Sequence, residues 1–259
     1  MKIAIIGAGN MGGAIARGLA HSNMDIKIAV ADLAQDKLDE LKAECDAIEV
    51  SADSLTIVAD ADVVLIAVKP WLVEPVLKGA LPALDLSRQI VLSIAAGVDI
   101  ATITSWLDND KAVVFRAITN TAISIHQSMT FVSHNANATA HQVAQVEAIF
   151  NALGKAAVIE ERLMGAATSL CSCGIAFAMR YVRAATEGGV ELGIYPNDAK
   201  QYVLQTLRGA VELLEATGNN PEVEIDKVTT PGGITIKGLN AMEANGFTNA
   251  VIEGLKASK

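Results

Sequence analysis

The chain has 259 residues, 51% of them hydrophobic and 19% charged, enough to bury a sizeable core and too apolar for an intrinsically disordered protein. Its 20 Lys and Arg stand against 29 Asp and Glu, a net charge of −9, and only 4% of residues are aromatic. That balance argues against a nucleic-acid face, a base-stacking platform or attraction to an anionic membrane.

The N-terminal run Met1–Gly7 is too short for a signal peptide, and no uninterrupted apolar stretch reaches the roughly 18–20 residues that span a bilayer. The three cysteines, Cys45, Cys171 and Cys173, are too few for a disulfide framework, so the expected location is a reducing cytoplasm. Short apolar runs predict strands at 2–6, 26–31, 47–50, 63–68, 89–94, 112–118, 129–133 and 155–159. The first five are spaced for βαβ crossovers, and the continuous apolar run Val63–Val68 reads as a central strand buried on both faces. Beyond Glu160 the strand signals stop. The stretch 162–188 is rich in Ala, Leu, Met and Cys, and helical patterns follow at 197–217 and 231–257, broken by Gly218-Asn219-Asn220-Pro221. The expected organisation is therefore an α/β dinucleotide-binding domain over 1–160, with a Rossmann-type, doubly wound, mostly parallel sheet, and an all-helical domain over 161–259. A helix as apolar on every side as 162–179 needs cover all round, and a partner subunit is the expected cover, giving at least a homodimer.

Strand 2–6 runs directly into Gly7-Ala8-Gly9-Asn10-Met11-Gly12, a full G-x-G-x-x-G that opens a helix. Gly7 permits the tight turn, Gly9 lets a diphosphate approach the backbone, and Gly12 lets helix and strand pack closely. The free N–H groups at that helix start attract the diphosphate. Asp32 lies 20 residues after Gly12 at the end of the second strand, placed to accept adenosine ribose hydroxyls and to repel a 2′-phosphate. Its alternative role is to cap the next helix. Lys37, a turn or more into that helix, reaches the site only from a distance. The cofactor is thus NADH or NADPH, with NADH favoured by Asp32. Two further strand ends, Ala67-Val68-Lys69-Pro70 and Ser93-Ile94-Ala95-Ala96-Gly97-Val98, are expected to line the same crevice.

Near the C-terminus, Val228-Thr229-Thr230-Pro231-Gly232-Gly233-Ile234-Thr235-Ile236 reads as a helix start with Thr230 as N-cap and Pro231 in the first turn. Two glycines there weaken a helix and make sense if something touches the backbone closely. Such a start is an anion cradle suited to a substrate carboxylate, with the Thr235 hydroxyl at its edge.

With these motifs the chain resembles the pyrroline-5-carboxylate reductase family nearly end to end. The likeness rests on Ile5–Met11, Ala67–Pro70, Ala95–Val98, Arg116 with Thr119-Asn120-Thr121, and above all Val228–Ile236. The resemblance implies hydride transfer to the C=N bond of 1-pyrroline-5-carboxylate, giving L-proline. It implies dinucleotide contacts from Ile6, Gly7, Ala8, Gly9, Asn10, Met11 and Gly12, from Asp32, from Ala67–Pro70, and from Ala95, Ala96 and Gly97, with Asn120 beside the nicotinamide. It implies a substrate carboxylate on Gly232, Gly233, Ile234 and Thr235, with Thr235 hydrogen-bonded to the ring nitrogen as a proton donor and Glu161 close to the substrate. Self-association through the helical domain, as dimers or larger rings, follows from the same likeness.

The chain departs from the family's Ser-Gly-Ser-Gly-Pro-Ala-Tyr pattern, carrying Cys171-Ser172-Cys173-Gly174-Ile175-Ala176-Phe177, and Ala122 stands where the family's Asn-Thr motif continues with proline. A C-x-C pair on an α-helix points its sulfurs about 200° apart, so these thiols are expected to fill space rather than chelate. His21, His126, His134 and His141 show no ligand spacing, and no metal is expected. Other enzymes on this plan act on 3-hydroxyacids or other imines, and a non-catalytic nucleotide-binding relative is a further alternative. The hydroxy-acid enzymes use a lysine along the long helix, where this chain offers only Arg180 between Leu163 and Val182.

Overall fold

The computed structural model describes all residues, 1–259. Eight strands, β1 (Lys2–Ile6), β2 (Lys27–Ala31), β3 (Glu49–Ser51), β4 (Val63–Ile66), β5 (Ile90–Ser93), β6 (Val113–Ile118), β7 (Ser128–His134) and β8 (Gly154–Val158), match the eight predicted runs to within a few residues. They form one sheet in the order β3-β2-β1-β4-β5-β6-β7-β8. Every neighbouring pair is parallel except β6 and β7. The exception has a local cause: only Thr119–Gln127 joins those two strands, too little chain for a crossover helix.

Helices α1 (Asn10–Ala20), α2 (Gln35–Glu44), α3 (Ser54–Val58), α4 (Val73–Ala80), α5 (Ile100–Leu107) and α6 (Ala140–Asn151) cover both faces of the sheet. Alternation along β1 shows why both faces must be covered. Ile3 and Ile5 join Ile15, Leu19, Leu38, Phe115 and Phe150 in one apolar cluster. Ala4 and Ile6 join Ile57, Leu77, Val91, Ile103 and Val114 in the other. A strand buried on both sides reads as an unbroken apolar run, and Val63–Ile66 is fully buried. The order reverses between β1 and β4, which opens a crevice at the carboxyl ends of these strands.

Met1–Ser172 forms one compact unit and Cys173–Lys259 another. The first thus includes α7 (Met164–Ala167) and most of a π-helical turn, Thr168–Cys173. The second is wholly helical: α8 (Gly174–Glu191), α9 (Pro196–Thr217), α10 (Pro221–Val228), α11 (Ile234–Ala244) and α12 (Phe247–Ala257). Within it Tyr181 meets Phe247 edge-on with ring centroids 6.5 Å apart. The stretch expected as one helix over 231–257 is two, because Gly246 at φ +78 ends α11 and starts α12. Only Ala199 is buried in this unit, while Met179, Leu192, Tyr195 and Tyr202 are exposed. The helical run Glu161–Glu191, 31 residues with an 18-residue window of mean hydropathy 1.3, is long and apolar enough to cross a bilayer by length and composition.

Candidate active site

At the crevice a cleft of about 770 Å³ opens along the ends of β1, β2, β4 and β5. Eleven of the residues expected to meet a dinucleotide line it: Ile6, Gly7, Gly9, Asn10, Met11, Asp32, Ala67, Val68, Lys69, Pro70 and Ala96. The glycines divide by role. Gly7 adopts φ +113 with its Cβ direction 2.6 Å from the Ala67 carbonyl oxygen, and a Cβ on Gly12 would lie 1.9 Å from the Gly7 oxygen. These two close the turn and the helix–strand contact. A Cβ on Gly9 meets nothing within 4 Å, so Gly9 keeps the cleft side of the loop bare. Gly9 also caps α1 without a side chain, leaving the first N–H groups of that helix open to a ligand. A smooth amide cradle of this kind fits a diphosphate.

Asp32 is not the cap of α2, which is Ala34. Its carboxylate instead accepts the Ala8 N–H at 2.7 Å and the Ala34 N–H at 2.9 Å, fastening the glycine loop to the end of β2. Each oxygen keeps lone-pair capacity, so the group faces the cleft as an oriented acceptor. Lys37 also lines the cleft.

Ala8, Gly12, Ala95, Gly97 and Asn120 do not line it. Ala95 is buried and bonded to the Ser93 hydroxyl, and Gly97 makes the turn out of β5 at φ +78. Asn120 accepts the Ala122 N–H and donates from Nδ2 to the Cys171 carbonyl at 3.3 Å, tying the end of β6 to the π-helical turn. Burial pushes the Cys171 thiol up, the opposite of an activated thiolate. Ile94, in the expected β5 strand end, lines the cleft too, and Ala31, Leu33, Ala52, Ser54, Leu72, Pro75 and Val76 complete the lining and were not expected. Leu33 is 94% exposed, an apolar side chain beside the acid that no core requires. Ala52 and Ser54 follow β3, and extending the strand-end rule to that strand finds them.

The second unit carries the Pro-Gly-Gly segment, and its geometry corrects the expected cap. Gly233, not Thr230, caps α11, and Pro231 lies before the helix. Thr230 to Gly233 form a turn closed by the Gly233 N–H on the Thr230 oxygen at 2.9 Å, with Gly232 at φ +73. Proline second and a positive-φ glycine third are the demands of a type II turn. A Cβ on Gly233 would lie 2.6 Å from the Thr230 hydroxyl, so that glycine is required by the turn itself. Since the Gly233 N–H closes the turn, the donors left at the helix start begin with Ile234 and Thr235. Thr235 is exposed.

Two family models match separate parts of the chain. Residues 2–97 match the model described as NADP oxidoreductase, coenzyme F420-dependent, and residues 161–259 match pyrroline-5-carboxylate reductase dimerisation. The chain is 36% identical to pyrroline-5-carboxylate reductase 2 of Dictyostelium discoideum, covering 99% of this chain and 90% of that one. A solved pyrroline-5-carboxylate reductase from Coxiella burnetii matches at TM-score 0.91 and 28% identity, over 99% of this chain and 95% of that one. The Plasmodium falciparum pyrroline carboxylate reductase, solved with NADP bound, matches at TM-score 0.89 and 26% identity, over 100% and 95%. Fold, glycine loop and cleft define a nicotinamide-dependent oxidoreductase. Its helical half carries a dimerisation match and supports self-association. The chain belongs to the pyrroline-5-carboxylate reductase family.

Proposed function

We propose that the chain reduces 1-pyrroline-5-carboxylate to L-proline with a nicotinamide cofactor, as a dimer or larger ring assembled through the helical unit. The observation that carries the reading is the type II turn running straight into α11, which presents bare helix-start amides with a hydroxyl two residues into the helix. The bound cofactor supplies a hydride to the C=N carbon. The Ile234 and Thr235 N–H groups donate to the substrate carboxylate, aided by the helix dipole. The Thr235 hydroxyl, exposed to solvent that replaces its proton, hydrogen-bonds the ring nitrogen and relays a proton to it as the hydride arrives. A protonated imine is already electrophilic, so orientation and one proton site meet the chemical demand without a metal-like acid. The three thiols are unpaired, which suits a reducing compartment such as the cytoplasm. A coupled assay with this imine and chromatography for proline tests the reading, and an enzyme that binds cofactor yet forms no proline would refute it.

NADH is the proposed cofactor, because the Asp32 carboxylate stands oriented at the cleft wall where a 2′-phosphate would meet its charge. Asp32→Asn keeps an amide oxygen for the Ala8 N–H while removing the charge and giving up the bond from the Ala34 N–H. The ratio of kcat/KM for NADPH to that for NADH should rise by about tenfold or more. An unchanged ratio, or a wild-type enzyme that prefers NADPH, would assign the choice to Lys37 instead.

A further inference from the structure

The segment after β5, Ile94–Asp99, places Ile94 and Ala96 in the cleft wall before turning into α5. With Asp32 marking the adenosine side at β2, the β4–β5 end is where the nicotinamide half of a dinucleotide would lie. The far end of this wall is fixed twice. Asp99 caps α5 by accepting the Thr102 N–H at 2.7 Å. Glu161, 61 residues further along the chain, accepts the Ile100 N–H at 2.7 Å through Oε1. The same oxygen lies 3.6 Å from Nη1 of Arg116 on β6. Arg116 is only 10% exposed at its side chain, and its Nε has no hydrogen-bond partner. A buried guanidinium left without an anion costs several kcal/mol, roughly the penalty for any unpaired interior charge, so the carboxylate is needed there. Hydrogen bonds from Thr102 hold the Asp99 carboxyl below the usual carboxylate range, and the Arg116 charge acts in the same direction.

We propose that Glu161 and Arg116 are positioning residues. Glu161 sets the cleft wall Ile94–Asp99 through the first N–H of α5, and Arg116 holds Glu161 in that place. Glu161 then touches neither the substrate nor the cofactor. The proposal rests on the reductase reading above.

Three variants of the full-length enzyme test it. Glu161→Gln keeps an oxygen for the Ile100 N–H, and Glu161→Ala removes it. Ile100→Pro deletes the N–H itself at a position where a helix accepts proline, after a residue already extended at φ −84 and ψ 165. Because it also trims a buried side chain, it is read against Ile100→Val, which keeps the N–H. The Gln variant should keep kcat within about threefold with an unaltered pH profile, because the Ile100 N–H keeps its acceptor, while its melting temperature falls because the buried Arg116 loses its anion. The Ala and Pro variants should each lose roughly 10- to 100-fold in kcat, as small misplacements do. Combining Glu161→Ala with Ile100→Pro should cost little beyond either alone. The fluorescence of bound NADH, read without turnover, should change in Ala and Pro but not in Gln. Equal losses in Gln and Ala with a missing pH limb would make the carboxyl a proton carrier and overturn the proposal. So would an Ala variant indistinguishable from wild type. If the wild type binds NADH but does not reduce the imine, the reductase reading fails, and the fluorescence still decides the positioning role.

Discussion

Thr235→Val will lower kcat by about 100-fold, the usual worth of a positioned proton donor, while the dissociation constant for NADH stays unchanged. Valine keeps the shape of threonine and removes only the hydroxyl. Thr235 is exposed in the second residue of α11, away from any buried core of its unit, so the loss cannot be charged to unfolding. Thr235→Ser restores the hydroxyl and should recover most of the rate. Steady-state kinetics at saturating imine, beside a fluorescence titration with NADH, make the separation. A Val variant with wild-type turnover would remove this side chain from the proton step.

The second large effect separates two glycines of one loop. Gly12→Ala pushes a methyl to 1.9 Å from the Gly7 oxygen and 2.9 Å from the Ala67 Cβ, neither of which is a flexible side-chain end. We expect a stability loss of about 1–3 kcal/mol or more from overpacking, with cofactor binding abolished. Gly9→Ala meets nothing within 4 Å, so the thermal midpoint should not move. Its methyl nevertheless enters the space a diphosphate needs, and NADH affinity should fall by about tenfold or more. Thermal melts of the apo protein and NADH titrations read both. A Gly9→Ala protein that binds NADH like wild type would place the diphosphate elsewhere.

Much of the sheet was legible because each strand is a short apolar run and the parallel core leaves no polar face to confuse the period. The glycine loop was legible for the same local reason: a strand, a turn and a helix follow each other without interruption. The Pro-Gly-Gly segment was read one step wrong. Thr-Pro-Gly-Gly satisfies both a capped helix start and a type II turn, and only the positive φ of Gly232 tells them apart. The break at Gly246 was hidden because helical periodicity continues on both sides of it. Leu33 joined the cleft lining without a pattern to announce it, since a single exposed leucine is common on any surface. The Glu161 contact with Ile100 spans 61 residues and is set by packing alone, beyond the reach of spacing arguments. Glycine-loop and strand-end residues therefore appeared in the sequence, whereas the partners that hold them did not.

The most direct measurement follows an isotope. The enzyme is given 1-pyrroline-5-carboxylate and NADH deuterated at the transferable position, and the product is examined by mass spectrometry and NMR. The account predicts one deuterium in L-proline, on the ring carbon beside nitrogen that does not bear the carboxylate. Proline without the label, or cofactor oxidation no faster than the uncatalysed background, would contradict it.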